Sequence, residues 1–356
     1  MTSDSYRWTL GIFFIVIVAF IWTFASVLVQ YIFHNLAFQK PFFLTFVGIS
    51  LFSVNLPIWY LSQRFCSLRR WESSGTNEST RLSQTQLPQS HSTTKLCWKK
   101  IIRASAIVAP LWFLANFTYN ASLDMTSVTS STIISSTSTV FTLFLSVLVL
   151  QERFTWMKMT GVVLCMMGNM CTIFKDSMEA DMKIIFSSQS ALGDFVALFA
   201  AFMYGVYTTA IRKLVPDEAE FSLSLFFGFL GALTFLVLSP VVVILHYNGI
   251  ESLHGLTWEI FQLMCVKGLF DNVLSDYLWA QSVIMTSPTV ATVGLSLTVP
   301  LAIVSDLLFH NILPGWKTIL ASLLMVTGFV LINVSSKRDR KGQGFQKLNE
   351  SSLSGC

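Results

Sequence analysis

Read against itself at an offset of 160 residues, this chain repeats. From about residue 105 to about residue 170 the copies align without a gap: Leu114 meets Leu274, Ser122 meets Ser282, Met125-Thr126-Ser127 meets Met285-Thr286-Ser287, Trp156 meets Trp316 and Gly168 meets Gly328. The opening segments align too, at an offset of 182, with Leu10-Gly11 on Leu192-Gly193 and Ala19-Phe20 on Ala201-Phe202. The difference of 22 residues is extra sequence in the first copy, and the polar 64–100 segment is where it sits. A loop insertion of that kind costs little. Both copies are strongly apolar, and a duplicated apolar unit is the build of secondary transporters, in which substrate binds between the halves.

The apolar residues fall in runs near the length at which a helix spans a bilayer core, about 20 residues. The chain is 53% hydrophobic and 12% charged, whereas a soluble domain carries about 25% charged residues. Ten spans are expected, at roughly 9–32, 41–62, 101–121, 125–149, 156–174, 191–211, 221–246, 258–281, 287–309 and 316–334. The first is too long for a signal-peptide core and shows no cleavage pattern before Gln30, so it reads as a permanent span. Five spans per copy is an odd number, so the second copy must lie upside down relative to the first. The expected fold is all-α and integral to the membrane, ten transmembrane helices in a five-plus-five inverted-topology repeat. A first five-helix repeat is expected over 1–175, an inverted one over 176–336, and a disordered cytoplasmic tail over 337–356. The 64–100 segment is rich in Ser, Thr, Gln and charge and is expected to be a flexible cytoplasmic loop.

With the N-terminus in the cytoplasm, eighteen of the 23 Lys and Arg residues fall in cytoplasmic segments, four fall outside, and Lys267 lies within a span. That bias puts both termini in the cytoplasm. It also accounts for the net charge of +4 as a positive membrane face, with no nucleic-acid partner needed.

Three ionisable residues fall inside the eighth span. Lys267 and Asp271 are four apart, on one helical face and within ion-pair reach. Asp276 is nine residues from Lys267 and falls on the opposite side of an ideal α-helix. Charge at membrane depth costs about 2.5–3.5 kcal/mol even on insertion scales, so such groups face a cavity or a partner. Two readings stand. One is a solute or coupling-ion site, with Lys267 contacting an anionic group or Asp271 carrying a proton. The other is an internal pair that locks helix packing.

The third span holds Trp112, Asn116, Tyr119 and Asn120. Asn116 and Tyr119 are three apart on one face, and Asn116 is the repeat mate of Asp276. That correspondence makes both cavity residues facing each other across a pseudo-twofold axis, the alternative being interhelical hydrogen bonds. Lys213 sits at the cytoplasmic mouth of a span that carries Tyr204 and Tyr207, as a gate residue or as an interfacial lysine. The expected substrate-binding set is therefore Lys267, Asp271, Asp276, Asn116, Tyr119, Tyr204 and Lys213. The hydroxyl-rich run over 126–139, and Ser287, Thr289, Thr292, Ser296 and Thr298 in its mate, either line a wet pathway or pack closely and bond back to their own helix.

No Walker loop, HExxH, nucleophile elbow or CxxC occurs. An enzyme or an ATP-driven pump is not indicated, and no cofactor or metal is expected. The six cysteines show no paired spacing, and three lie in apolar runs as small hydrophobes.

Several stretches carry a family resemblance. They are Lys40-Pro-Phe-Phe43, Leu111-Trp-Phe-Leu-Ala-Asn-Phe-Thr-Tyr-Asn120, Leu192-Gly-Asp-Phe195, Ala201-Phe-Met-Tyr-Gly-Val-Tyr207, Leu274-Ser-Asp-Tyr-Leu-Trp279 and Leu295-Ser-Leu-Thr-Val-Pro-Leu301. In order and spacing, over about residues 8–335, the chain resembles the drug/metabolite transporter superfamily (EamA-like). More narrowly, it is similar to the F branch of the solute carrier 35 family and its fungal relatives described as vacuolar-membrane or thiamine-repressible transport proteins. The resemblance implies a multi-pass transporter of the endomembrane system, vacuolar, lysosomal or Golgi. It would move a small organic solute, a thiamine-like vitamin or a nucleotide sugar, by alternating access. A coupled proton or counter-substrate and a homodimer are compatible with it. The alternative function is a membrane scaffold or regulator on a transporter fold, working through its basic loop and tail.

The charge bias predicts that tags placed in the 75–89 segment or at the C-terminus react with antibody once the plasma membrane alone is permeabilised. Protection of either tag until the inner membranes are opened contradicts the layout.

Overall fold

The computed structural model describes residues 3–32, 36, 38, 40–74, 90–125, 134–177, 188–215, 222–251, 253–298, 300, 301 and 315–353. Among these residues there is no strand, and helix meets each of the ten expected spans over at least part of its length. In chain order the helices are α1 (Ser3–Gln30), α2 (Pro41–Ser50), α3 (Asn55–Ser74), α4 (Ser90–Met125), α5 (Ser138–Leu150), α6 (Trp156–Ser177), α7 (Ser188–Leu214), α8 (Leu223–Tyr247), α9 (Trp258–Lys267), α10 (Asp276–Met285), α11 (Pro288–Gly294) and α12 (Trp316–Leu353). A 3-10 turn, Leu51–Val54, joins α2 to α3, and another, Leu295–Leu297, follows α11. A π-helical segment, Gly268–Ser275, joins α9 to α10. Six stretches are long and apolar enough to cross a membrane: Ser5–Trp22, Pro41–Arg64, Trp98–Ser122, Leu192–Leu214, Leu223–Tyr247 and Ile319–Asp339. Ile134–Leu150 and Pro288–Leu297 are shorter apolar helical stretches.

The helix starts follow from local chemistry. Ser222, Thr257 and Ser287 are extended, and each side-chain oxygen accepts the N–H three residues on, opening α8, α9 and α11. Pro41 and Pro288 stand in the first turns of α2 and α11, where a missing N–H is harmless. The N-terminus of α2 is capped from far away in sequence. The Glu251 carboxylate accepts the N–H groups of Phe42 at 2.9 Å and Phe43 at 3.0 Å. An anion at a helix N-terminus satisfies orphan donors and complements the dipole.

Two expected irregular segments are more helical than their composition suggests. α3 and α4 run into the 64–100 loop from both sides, and α12 continues through the expected disordered tail to Leu353. Both segments carry good helix formers, and extending a nucleated helix adds one bond per residue fixed.

α4 packs on α7 and α8, α5 on α7, α1 on α10 and the π segment, and α2 on α8. α6 and α12 run antiparallel in close contact. A Cβ on Gly168 would lie 2.8 Å from the Ala321 carbonyl oxygen, and one on Gly328 would lie 2.5 Å from the Gly161 carbonyl oxygen. The Cys165 thiol donates to the Met325 carbonyl oxygen at 3.4 Å. Adding the repeat offset of 160 to positions 161, 165 and 168 gives 321, 325 and 328. Exchanging each residue for its mate therefore maps this contact onto itself, the property of an isologous interface. At one end of the pair Lys158 is buried, 1% exposed, with Nζ 2.9 Å from Asp339 Oδ2 and 3.4 Å from Glu152 Oε2. The charge layout treats Lys158 as a surface cation; here it fastens α6 to α12.

Replacing Gly328 by Val forces a side chain against the fixed backbone of α6 and should destabilise the protein by about 1–3 kcal/mol. Gly315→Ala, where an added Cβ meets nothing within 4 Å, should leave the melting temperature in detergent unchanged. Equal melting of the two variants contradicts this contact.

Candidate functional site

The span from Trp258 to Met285 is not a uniform α-helix. Its π segment is held by packing against α2. Asn272 sits on Gly48, where a Cβ would lie 3.1 Å from the Asn272 Nδ2, and Gly268 lies against Leu51. Two irregular backbones thus meet, the π segment and the turn Leu51–Val54. Short π-helical stretches occur frequently at functional sites.

Lys267 and Asp271 form the pair their spacing predicts, with Nζ 2.8 Å from Asp271 Oδ2 and side chains 14% and 18% exposed. Lys267 also donates to Asn272 Oδ1 at 3.4 Å. Asp276 departs from the sequence reading. A π-helix turns through fewer degrees per residue than an α-helix, so the count that set Asp276 opposite Lys267 does not hold across eight π-wound residues. Asp276 is 8% exposed. It lies within electrostatic range of both Asp271 and Lys267, and of Tyr204 and Tyr207 on α7. No Lys, Arg or His nitrogen pairs with it among the described residues.

One turn past Asp276, Trp279 enters an aromatic cluster built by three helices. Its ring centroid is 5.8 Å from Trp112 on α4, 5.8 Å from Tyr204 and 5.9 Å from Tyr207. Trp112 and Tyr207 lie 4.5 Å apart, and Tyr204 and Tyr207 lie 5.0 Å apart. Trp112 packs further on Phe52 at 5.8 Å and on Phe227 at 5.6 Å. Both indoles are 1% exposed, and neither Nε1 has a hydrogen-bond partner; the buried hydroxyl of Ser275 has none either. Buried donors without partners are few in a folded protein, and each calls for an explanation.

The expected site residues divide. Tyr204 and Asp276 come together at this cluster, with the Lys267–Asp271 pair along the same span. Asn116 is half-buried one turn from Trp112, and its Nδ2 donates to the Trp112 carbonyl oxygen at 2.9 Å. Tyr119 is also half-buried on α4, and it is the repeat mate of Trp279. Lys213 is exposed in the last turn of α7, and its neighbour Arg212 reaches inward instead, donating from Nη1 to the Ile284 carbonyl oxygen at 2.7 Å. Trp279 is the residue that sequence reasoning missed. A tryptophan deep in an apolar span, whose N–H needs a partner, is the signal that was available.

Residues 126–133 of the hydroxyl run lie outside the described residues. In the described part, Thr137, Thr139 and Thr142 donate to the carbonyl oxygens of Ile134, Ser136 and Ser138. In the mate, Thr292 donates to Pro288 and Thr298 to Leu295. These hydroxyls bond back to their own helix.

A family model described as the EamA-like transporter family matches residues 9–174, and one described as solute carrier family 35 matches residues 94–334. The chain belongs to solute carrier family 35. This family 35 protein is 33% identical to the uncharacterized transporter C405.03c of Schizosaccharomyces pombe, over 92% of this chain and 96% of that one. It is 32% identical to the vacuolar membrane protein YML018C of Saccharomyces cerevisiae, over 95% and 93%. It is 30% identical to the thiamine-repressible mitochondrial transport protein THI74 of the same yeast, over 91% of each chain. A solved crystal structure shares the fold with a TM-score of 0.62 at 14% identity, covering 94% of this chain and 98% of that one. The chain is thus a multi-pass membrane protein of a transporter family.

Removing one member of the Lys267–Asp271 pair strands a charge, while removing both strands none. Lys267→Met should cost about 2–3 kcal/mol, less than a fully buried pair because each side chain keeps some exposure, and Lys267→Met/Asp271→Leu should recover most of it. Thermal melts of the purified single and double variants check this. A double variant no more stable than the single one rules out the pair as drawn.

Proposed function

We propose that the protein is a secondary transporter of a small organic solute, with ten spans in a five-plus-five inverted repeat and alternating access. The solute binds at Asp276, Tyr204, Trp112, Tyr207 and Trp279, with Lys267, Asp271, Asn116 and Tyr119 around it. The observation that carries this reading is a buried carboxylate, Asp276, one turn before Trp279 in a cluster of rings from α4, α7 and α10 whose two indole N–H groups have no partner. Groups left without partners at that depth are what a bound solute would satisfy.

Three observations support the inverted repeat. The α6–α12 crossing maps onto itself under exchange of repeat mates. The packing of α4 on α7 has its image in α1 on the π segment and α10. Backbone irregularities recur at equivalent positions: Pro110 pairs with Phe270 in the π segment, and the turn at Thr137 pairs with Leu297. Discontinuous helices at the repeat interface are where transporters of this build bind substrate.

The long-range bonds support the layout of ends. Trp8 donates to Asn333 Oδ1 at 2.7 Å, Arg212 to Ile284, and Lys158 pairs with Asp339, all between ends assigned to the cytoplasmic face. Asn120 donates to Thr45 Oγ1 at 2.8 Å, and Glu251 caps α2, both on the opposite face. From Trp279 through Ser296 most residues are buried, whereas Val266, Leu269, Phe270 and Leu274 are exposed. In this reading the molecule rests sealed at the Arg212 end, and transport requires the aromatic contacts between α4, α7 and α10 to part. The vacuolar relative supports an endomembrane location, which microscopy of the tagged protein checks.

Proteoliposomes carrying the protein, incubated with a small-molecule cell extract and analysed by mass spectrometry, should accumulate at least one solute over empty liposomes. Asp276→Asn, which keeps the side-chain shape, and Trp279→Leu should abolish the accumulation. No accumulation beyond that of empty liposomes sinks the transport reading.

A further inference from the structure

We propose that the cytoplasmic ends of α3 and α4 form a docking surface for an anionic phospholipid, with the lipid phosphate held by Lys99, Lys100 and Arg103. The proposal goes beyond the solute site and takes from the reading above only which helix ends face the cytoplasm.

The three cations stand on α4 where its apolar span begins. Lys99 and Arg103 are four apart, and Lys100 and Arg103 are three apart, so Arg103 neighbours both on the helix surface. All three are exposed, and among the described residues none pairs with a carboxylate. No Asp or Glu occurs from Ser79 to Leu123, in α3 before Glu72, or in α8. Asp217, Glu218 and Glu220, ahead of α8, lie outside the described residues. Arg64 adds a cation on α3; its guanidinium carbon lies 5.5 Å from the Tyr60 ring centre, and Nη2 donates to the Tyr60 hydroxyl at 3.0 Å. Guanidinium and ammonium groups make charge-assisted hydrogen bonds to phosphate oxygens.

Beside the cations the surface is aromatic, and deeper it is aliphatic. The Trp98 ring centre lies 5.6 Å from that of Trp59 on α3 and 5.8 Å from that of Phe229 on α8, so three helices meet at this ring. Trp98 and Tyr60 are themselves exposed. Amphipathic rings of this kind sit at headgroup level. Further into the span, Ile102, Ala106 and Ile107 are exposed on α4, and Leu61 and Ile58 on α3. Lys99 with Ile102, and Arg103 with Ile107, share one face of α4 by their spacing. The cations therefore lead directly into an apolar surface. A free phosphate or an acidic peptide would use the charges alone, whereas a lipid uses the charges for its head and the apolar surface for its chains.

The repeat supplies an internal comparison. The mate of Trp98 is Trp258, 71% exposed in the first turn of α9. The mates of Lys99, Lys100 and Arg103 are Glu259, Ile260 and Leu263. The tryptophan recurs in both copies, and the cations stand in the first alone. This position in the fold thus asks for the ring and not for the charges. The charges match the leaflet they face, because anionic lipids give the cytoplasmic leaflet a negative surface potential.

The test is thermal melting of the purified full-length protein in a neutral detergent. The probes are dioctanoyl phosphatidic acid, dioctanoyl phosphatidylcholine and inorganic phosphate. Phosphatidic acid should raise the melting temperature by mass action, and phosphatidylcholine should not. Inorganic phosphate, which has no chains, should need a concentration at least about tenfold higher for the same shift. Lys99→Gln/Lys100→Gln/Arg103→Gln should melt like the parent without lipid, since all three side chains are exposed, and should need about tenfold or more phosphatidic acid for the half-maximal shift. Salt at about 0.5 M should weaken the parent's response in the same direction. Arg338→Gln/Lys341→Gln, in the C-terminal helix, should respond as the parent does. If the triple variant does not fold, Arg103→Gln alone should need about threefold more lipid, and Arg103→Lys should not. A phosphatidic acid shift that survives removal of the three cations overturns the proposal, as does an equal shift with phosphatidylcholine or no shift with phosphatidic acid. Equal potency of inorganic phosphate makes the surface a phosphate site and overturns the lipid assignment.

Discussion

Inside a bilayer no water stands ready to satisfy a polar group, and that constraint sorts the polar residues of this fold. Most have found partners, and the partners hold helices together. Lys158 fastens the start of α6 to α12 through Asp339, Glu251 closes the open N-terminus of α2, and Arg212 reaches the carbonyl that ends α10. Hydroxyls along the apolar helices turn back on their own carbonyl oxygens. A few groups have no partner. Such atoms are spread over several helices, and the indole nitrogens of Trp112 and Trp279 and the Tyr204 hydroxyl are the ones that lie where α4, α7 and α10 meet. The proposed solute site draws on the ones in that cluster.

Two kinds of contact join the helices. α6 and α12 meet through glycines that let each helix approach the other's carbonyl oxygens, with Cys165, Met325 and Ile332 packed onto those glycines. Small residues let helix backbones approach this closely. α4, α7 and α10 meet through aromatic rings, each pair worth only about 0.5–1.5 kcal/mol beyond its buried area. Separating rings is a matter of a few such contacts, and the helices that carry them are the ones with irregular backbone: Pro110 in α4 and the π segment leading into α10. Bends in helices arise at such places. The alternating access proposed above would part the aromatic contacts and keep the glycine seam closed.

How legible the site was depended on distance along the chain. The Lys267–Asp271 pair was readable because both residues lie within one turn, before the winding changes. The side on which Asp276 falls was not, because π winding over eight residues is set by Asn272 and Gly268 packing on Gly48 and Leu51, more than two hundred residues away. Lys213 drew attention as a charge at the mouth of a span, yet the structure turns its neighbour Arg212 inward and leaves Lys213 in the open.

The sequence by itself determined the all-helical membrane class, the apolar stretches that the helices occupy and the internal sequence repeat, because span length, apolar composition and a fixed offset are properties of the chain alone. It also showed which residues are mates. It did not determine that Gly161, Cys165 and Gly168 would close on their own counterparts, nor that Trp279 would join Trp112, Tyr204 and Tyr207 around Asp276. It left the fate of its buried charges open as well: Lys158 and Lys267 find carboxylates, and Asp276 does not. Those outcomes belong to the tertiary structure, because a partner is found or missed only when helices distant in sequence are brought side by side.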